Sequence, residues 1–467
     1  MKLFISAVIL LLALNSFAHE GQLFNKSWTM IAGVKVQNLQ KGLKTLSQMD
    51  LDIAGISYDQ KIVDVLIDEH DYNHLKSLGF DIDVMNTKGV SASPDEEYKN
   101  PKEIQELLEN FNAKYPQLTK LVSIGKSLEG RDIWAIKITE EAHLDDPSKP
   151  VVLFNSMHHA REIMTPEISI DIIEYLLENS SSNSEVKEWL ATTVIWVMPM
   201  FNVDGNNKMW NDDKYWRKNT RNGYGVDLNR NYPSGWGSCN GSSGSMSSQT
   251  YRGPEPASEP ETLAMMNFIE NTRPVFDISY HSYSELVIYP YGCEDQRTQT
   301  KEVVEKIGKH IGKAVDYKAG TAWELLYNAD GGDIDWMYEA YQVIPFVLEV
   351  NSRWAGFHPD YSRWRDKTVE RNRVGWQYLI KRAHQSGIRG LVTNNGVAMS
   401  DFKVKVYKKS LLRKRSLFQN YNGQKNGVFH IVLNPGQYEL EIIANDKVLK
   451  TIETNVKEIL ERVNILL

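Results

Sequence analysis

The sequence predicts an α/β protein with a mixed central sheet flanked by helices, preceded by a small α+β module and followed by a small β-sandwich. Three observations predict it. From about Tyr98 to Ala383, apolar strand-like runs alternate with long helical patterns, as expected of a parallel or mixed sheet with helical crossovers. Residues 29 to 86 repeat that alternation on a smaller scale, and from residue 386 onward the strands are short, with no long helix. The chain has 467 residues, 42% hydrophobic and 24% charged. That is ordinary globular composition, with length for two or three domains and one large core.

In chain order, residues 1–18 read as a signal peptide. Lys2 precedes an apolar run from Phe4 to Leu14, and "SFA" places a small-residue cleavage site after Ala18; the run is too short to cross a bilayer. The competing reading is a buried N-terminal helix. No later segment has 18 uninterrupted apolar residues, so an exported chain, secreted or periplasmic, without a transmembrane segment is expected. Residues 19–92 form the module: "MIAGVKV" and "KIVDVLI" read as strands, "LQKGLKTLSQM" and "DYNHLKSLGF" as helices, and "DIDVMN" closes a βαββαβ-like unit. The polar "NTKGVSASPDEEYKNP" reads as an exposed linker.

The domain at 93–385 opens with "LVSIGKS", "DIWAIKI" and "VVLFNSM", followed by the helical "EISIDIIEYLLEN" and the strand "TVIWVMPM". Its Gly/Ser-rich "PSGWGSCNGSSGSMSSQTYRG" must be loop, and the flanking Trp236 and Tyr251 argue that this loop packs on the domain. Residues 386–467 hold "GIRGLVT", "FKVKVYK", "GVFHIVL", "GQYELEII" and "VLKTIETNV", spaced by Gly, Asn and Pro, the pattern of a small sandwich. Their basic cluster at 408–415 reads as a solvated hairpin, with surface binding as the sharper rival. A net charge of -7 speaks against nucleic-acid binding through phosphate neutralisation. Cys239 and Cys293 are the only cysteines. Export permits a disulfide, but sequence alone does not separate it from two buried thiols.

The chemistry centres on "HHARE". His159 and Glu162 stand three apart at the end of an apolar strand, where α/β folds place their sites. An imidazole and a carboxylate suit zinc, which still needs a third ligand and an open position. His281, in "DISYHSYSELVIYPYG", follows another strand-like run and is a candidate for the third. An isolated HxxE or histidine is weak evidence, since either is more often a surface or structural feature.

Eight ordered blocks carry more weight: "IGKSLEGR", "HHARE", "KYWRKN", "GVDLNRNYP", "SSGSMSSQTYRGPEPASEPET", "HSYSELVIYPYG", "YNADGGDIDW" and "FVLEV". With them the chain resembles the zinc metallocarboxypeptidases of the funnelin type, the family of pancreatic carboxypeptidases A and B and bacterial carboxypeptidase T. The resemblance implies one Zn2+ per chain on His159, Glu162 and His281, with His158 not a ligand. It implies Glu349 as general base and Arg217 as the arginine that offsets oxyanion charge. Asn229, Arg230 and Tyr327 match the groups that hold a terminal carboxylate, and Arg161 matches a further substrate contact. These types suit the task. A carboxylate beside zinc-activated water can take its proton, a guanidinium offsets developing negative charge, and arginine pairs a planar carboxylate at two points.

The same resemblance places Ile288, Gly292, Ala322, Ala329, Gly332, Ile334 and Val347 around the pocket for the last side chain. All are small or apolar, which implies apolar or aromatic C-terminal residues, because an apolar wall cannot pair a cation. Asp333, turned inward, would admit basic ones. The expected partners are peptides or proteins with a free C-terminal carboxylate, and an activating protease cutting the 86–100 linker to release an activation segment. The C-terminal domain resembles a transthyretin-like appendage from another branch of the family. The rival functions are a murein-peptide peptidase and a non-catalytic binding relative.

Overall fold

The computed structural model describes residues 30–85, 94–409 and 415–467. The signal-peptide segment, residues 86–93 of the linker and residues 410–414 of the basic cluster lie outside the described residues. Two compact units emerge, residues 1–87 and residues 88–467.

The first unit runs β1 (Met30–Lys35), α1 (Leu39–Gln48), β2 (Asp52–Ser57), β3 (Ile62–Ile67), α2 (Glu69–Ser77) and β4 (Asp81–Val84). Its antiparallel sheet has the order β2-β3-β1-β4. The inner strand β3, "IVDVLI", is buried along its whole length. Helix α1 turns Leu43 and Leu46 inward at helical spacing, and α2 starts at a reciprocal Asp68–Asp71 cap.

The second unit opens with α3 (Pro101–Lys114), where Asn100 and Glu103 form a capping box and proline takes the first position. There follow β5 (Thr119–Lys126), β6 (Asp132–Ile138), β7 (Val151–Ser156), α4 (Met164–Glu178), α5 (Ser184–Thr192), β8 (Val194–Met198), α6 (Val203–Asn211), α7 (Pro260–Thr272), β9 (Phe276–Ser282) and β10 (Leu286–Ile288). Then come α8 (Lys301–Val315), β11 (Lys318–Gly320), α9 (Ala322–Leu325), α10 (Asp333–Tyr341), β12 (Ile344–Val350) and α11 (Tyr361–Arg382). The eight strands lie in the order β11-β10-β12-β9-β7-β8-β6-β5. The middle four, β12-β9-β7-β8, are parallel, and β8 and β9 are buried throughout, as helices on both faces require. Trp376 of α11 is fully buried and meets Phe154, Tyr175 and Trp189 edge-on. The carboxyl ends of β7, β9 and β12 therefore finish side by side on one sheet edge, the usual place for a site.

Eight further strands close the chain: β13 (Gly387–Asn394), β14 (Val397–Ala398), β15 (Lys403–Lys409), β16 (Arg415–Asn422), β17 (Val428–Val432), β18 (Gly436–Ala444), β19 (Lys447–Val456) and β20 (Leu460–Leu466). One sheet holds β14-β13-β17 with β20 paired to β13, and the other runs β16-β15-β18-β19. In β15 the buried Val404 and Val406 alternate with lysines. The sequence set 386–467 apart as a domain. These strands form their own two sheets within the same compact unit as the large sheet, and polar contacts join them to it. Arg389 donates to the carbonyls of Pro147, Ser148 (3.1 Å) and Lys149 (3.0 Å). Arg382 donates to Leu433 O at 2.7 Å, and Lys425 pairs with Glu270 at 2.9 Å. The described ends of the basic cluster are not simply solvated. Lys408 pairs with Glu302 at 2.5 Å, Lys409 with Glu453 at 2.5 Å, and Arg415 with Glu441 at 2.8 Å.

Candidate metal centre

Strand β7 ends in a tight turn in which Met157 takes a positive φ of 65°, uncommon for a residue with a side chain. The turn is pinned on several sides. Asn202 Nδ2 donates to His158 O at 3.0 Å, Asn206 Nδ2 to Ala160 O at 3.1 Å, and Ala160 N to Arg217 O at 2.9 Å.

His159 and Glu162 on this turn meet His281, which β9 delivers from 122 residues away. His159 Nδ1 lies 2.7 Å from Glu162 Oε1 and 3.0 Å from His281 Nδ1, and His281 Nδ1 lies 3.2 Å from Glu162 Oε2. All three side chains are buried. Two Nδ1 atoms and a carboxylate converge on one point, as ligand atoms around a shared ion do. A tetrahedral zinc with bonds of about 2.0–2.1 Å holds its ligand atoms about 3.3 Å apart, and two histidines with one glutamate are a known zinc set. The residues fit a zinc ion. Burial opposes ionisation of Glu162, but the two imidazoles win and hold its carboxyl well below the usual range.

His158 lies outside this group. It is fully buried, with Nε2 3.3 Å from Tyr232 Oη and 3.6 Å from Asp333 Oδ2, and Nδ1 3.3 Å from Ser279 Oγ. Burial pushes it down to about 4, against the pull of Asp333. It is a neutral packing group beneath the site.

Around the centre stand groups that orient it. His159 Nε2 is 3.3 Å from Asp227 Oδ1, while Asp227 Oδ2 accepts from Arg217 Nε (3.2 Å) and Nη2 (2.9 Å). Asp227 was not singled out in the sequence, although it sits inside "GVDLNRNYP", two residues before Asn229. A carboxylate on the far nitrogen of a ligand histidine fixes its tautomer and raises its basicity. On His281 the corresponding nitrogen, Nε2, lies 3.2 Å from Ser279 Oγ, which helps to hold the ring's orientation.

Glu349 on β12 is the direct register partner of His281 on β9. Loss of water pushes its carboxyl up to about 7; Glu162 adds to the rise, and His281, Arg217 and Arg230 oppose it. Those opposing groups place Glu349 in the same electrostatic field as the triad. Arg230 donates from Nε to Gly241 O (3.1 Å) and from Nη1 to Asn229 O (2.7 Å). Asn229 is drawn into the scaffold: Oδ1 accepts from the Asp333 amide at 3.0 Å, and Nδ2 lies 3.4 Å from His281 Nε2. Tyr327 is half-buried in the segment before α10. Arg161 is fully buried, its guanidinium 4.3 Å over the Phe357 ring.

Of the pocket positions, Ile288 and Val347 are cross-strand partners on β10 and β12, and with Ala322 and Ile334 they are buried. Gly292 abuts Ala329, whose carbonyl oxygen would lie 2.1 Å from any Cβ there. Gly332 begins α10 as its N-cap. Asp333 accepts its own helix's Ile334 amide at 2.8 Å and turns toward His158. Asp335 accepts the Gly292 amide at 2.9 Å, and burial pushes its carboxyl up to about 7. The two cysteines form a disulfide, with Cα atoms 5.9 Å apart.

A family model for zinc carboxypeptidase matches residues 104–372, more than half of the chain. The protein belongs to that family. Human carboxypeptidase A6 is 31% identical over 286 residues, which are 58% of this chain and 64% of that protein. Bovine carboxypeptidase O is 30% identical over 50% of this chain and 65% of its own length. The chain thus spans just under two thirds of these two relatives. A zinc carboxypeptidase of Simulium vittatum is 30% identical, with 56% of this chain matching 88% of it. Among solved structures, the carboxypeptidase A of Helicoverpa armigera superposes with a TM-score of 0.64 at 25% identity, over 75% of this chain and 95% of that one. Thrombin-activatable fibrinolysis inhibitor shares the fold, with a TM-score of 0.63 at 23% identity, over 76% of this chain and 98% of that one. Among the described residues no helix is long and apolar enough to cross a membrane.

Proposed function

We propose that the protein is a zinc-dependent exopeptidase that hydrolyses the C-terminal peptide bond of peptides or proteins. The observation that carries this is the convergence of His159, His281 and Glu162 beside Glu349, whose carboxyl is poised near neutrality. His159, Glu162 and His281 would hold the zinc, which would supply Lewis acidity and lower the pKa of a water towards about 7. Glu349 would serve as the general base that takes a proton from the attacking water and returns it to the leaving amine. Arg217, braced by Asp227, presents positive charge where the scissile carbonyl becomes an oxyanion. Arg230, with Asn229 and Tyr327, receives the terminal carboxylate; a bidentate guanidinium suits that planar group. Arg161, seated over the Phe357 ring, is a further substrate contact.

The preference falls on apolar or aromatic C-terminal residues. Ile288, Ile334 and Val347 offer no counter-charge, and the buried Asp333 accepts its own helix's Ile334 amide and turns its other oxygen toward His158. Asp335 spends one oxygen on Gly292, and its raised pKa leaves it poorly suited as a fixed anion. The test is release of Phe, Leu, Arg or Glu from blocked peptides by the zinc-loaded protein. Phe and Leu should lead; a clear preference for Arg overturns the apolar reading, and no release of any residue overturns the exopeptidase. The module at 19–92 acts as an activation segment that restrains the enzyme until the chain is cut between 86 and 100.

A further inference from the structure

The long Gly/Ser-rich segment that follows Arg230 contains no helix or regular strand between residues 233 and 253, yet the Arg230 guanidinium leans on it. Arg230 Nε donates to Gly241 O at 3.1 Å. One carboxylate organises the segment at that point. Asp330, fully buried, accepts from the amides of Gly237 (3.2 Å), Cys239 (3.1 Å) and Gly241 (3.0 Å) and from the Ser242 hydroxyl. Close approach makes this possible, since a Cβ on Gly241 would stand 2.5 Å from Asp330 N.

The neighbours of Asp330 carry the other half of the site. Asn328 Nδ2 donates to Cys239 O at 3.1 Å and its Oδ1 accepts from the Glu294 amide at 3.1 Å. Gly331 exchanges backbone bonds with Tyr232 and Ser234, and the Cys239–Cys293 bridge crosses the same point. Three segments meet here: one bears Asn229 and Arg230, one bears Gly292, and one bears Tyr327 and Ile334.

We propose that Asp330 is a positioning residue for the carboxylate clamp: by holding the Gly241 carbonyl in place it fixes the attitude of the Arg230 guanidinium. This rests on the exopeptidase reading. Four donors on one carboxylate make charge-assisted bonds, stronger than neutral ones. The segment has no helix or strand of its own between residues 233 and 253, so ties of this kind, with the Cys239–Cys293 bridge, set its course. A clamp on the terminal carboxylate binds ground state and transition state alike, so loosening it raises KM and spares kcat.

The test uses the full zinc-loaded chain and the near-isosteric Asp330→Asn, with a blocked peptide ending in Phe. KM should rise about tenfold while kcat stays within about threefold, and the affinity for free L-phenylalanine, read by calorimetry, should weaken in parallel. Unchanged zinc content confirms that the metal centre is not the cause. A lower melting temperature with unchanged KM and unchanged L-phenylalanine binding shows a structural role only and overturns the inference. Wild-type protein that binds L-phenylalanine but releases no residue sinks the exopeptidase reading and leaves the binding comparison to judge Asp330. Wild-type protein that binds no carboxylate sinks the clamp and this inference with it. If Asp330→Asn does not fold, Ser242→Ala removes one of the four donors. It should raise KM two- to fourfold, and an unchanged KM overturns the inference.

Discussion

His158 and His159 are neighbours in the chain with opposite surroundings. His159 offers Nδ1 to a shared focus with His281 and Glu162, whereas His158 is packed between Tyr232, Ser279 and Phe201. His159→Ala should therefore abolish zinc binding by elemental analysis, and His158→Ala should retain most of it; the reverse result would mean the wrong histidine has been placed on the metal. Glu349 sets a pH limb. A general base works only when ionised, and burial raises this one to about 7. kcat/KM should rise with pH through the region around 7, and Glu349→Gln should lower activity by about 10²–10⁴-fold and flatten that rise. An unaltered acidic limb in Glu349→Gln would assign the titration to another group.

At the scale of elements, the long helix α11 shows what burial alone can do. Its pattern is strongly polar, and it docks chiefly through a few residues led by Trp376, which fills the space between β7, α4 and α5. Trp376→Ala should cost about 3–5 kcal/mol, read as a lower denaturant midpoint; a loss below 1 kcal/mol would mean the helix is held elsewhere. Much of this level was legible in the sequence. The βαββαβ order of the first unit, the alternating runs of the large sheet and the short strands after 386 each follow from local periodicity. What stayed hidden depends on distance in space. The pairing of Cys239 with Cys293 needs a Cα separation that no spacing reveals. Asp227 and Asp330 gain their meaning from partners ten or ninety residues away, and Arg161 is legible by motif, yet its seat over Phe357 is a matter of packing.

For the whole molecule, the open question is restraint. If the 19–92 module is an activation segment, cutting the chain between 86 and 100 should raise kcat/KM on the Phe-ending peptide by at least about tenfold, a gain of about 1.4 kcal/mol in transition-state binding. Equal activity of the full-length and trimmed proteins would make the module a permanent accessory. The other end of the chain behaves differently. Arg389 is lodged against three successive carbonyls of the 147–149 turn, which leads directly into β7, and β7 ends at the turn bearing His159. The C-terminal strands are therefore less an appended tail than an abutment of the very turn from which the chain enters β7 and runs on to His159.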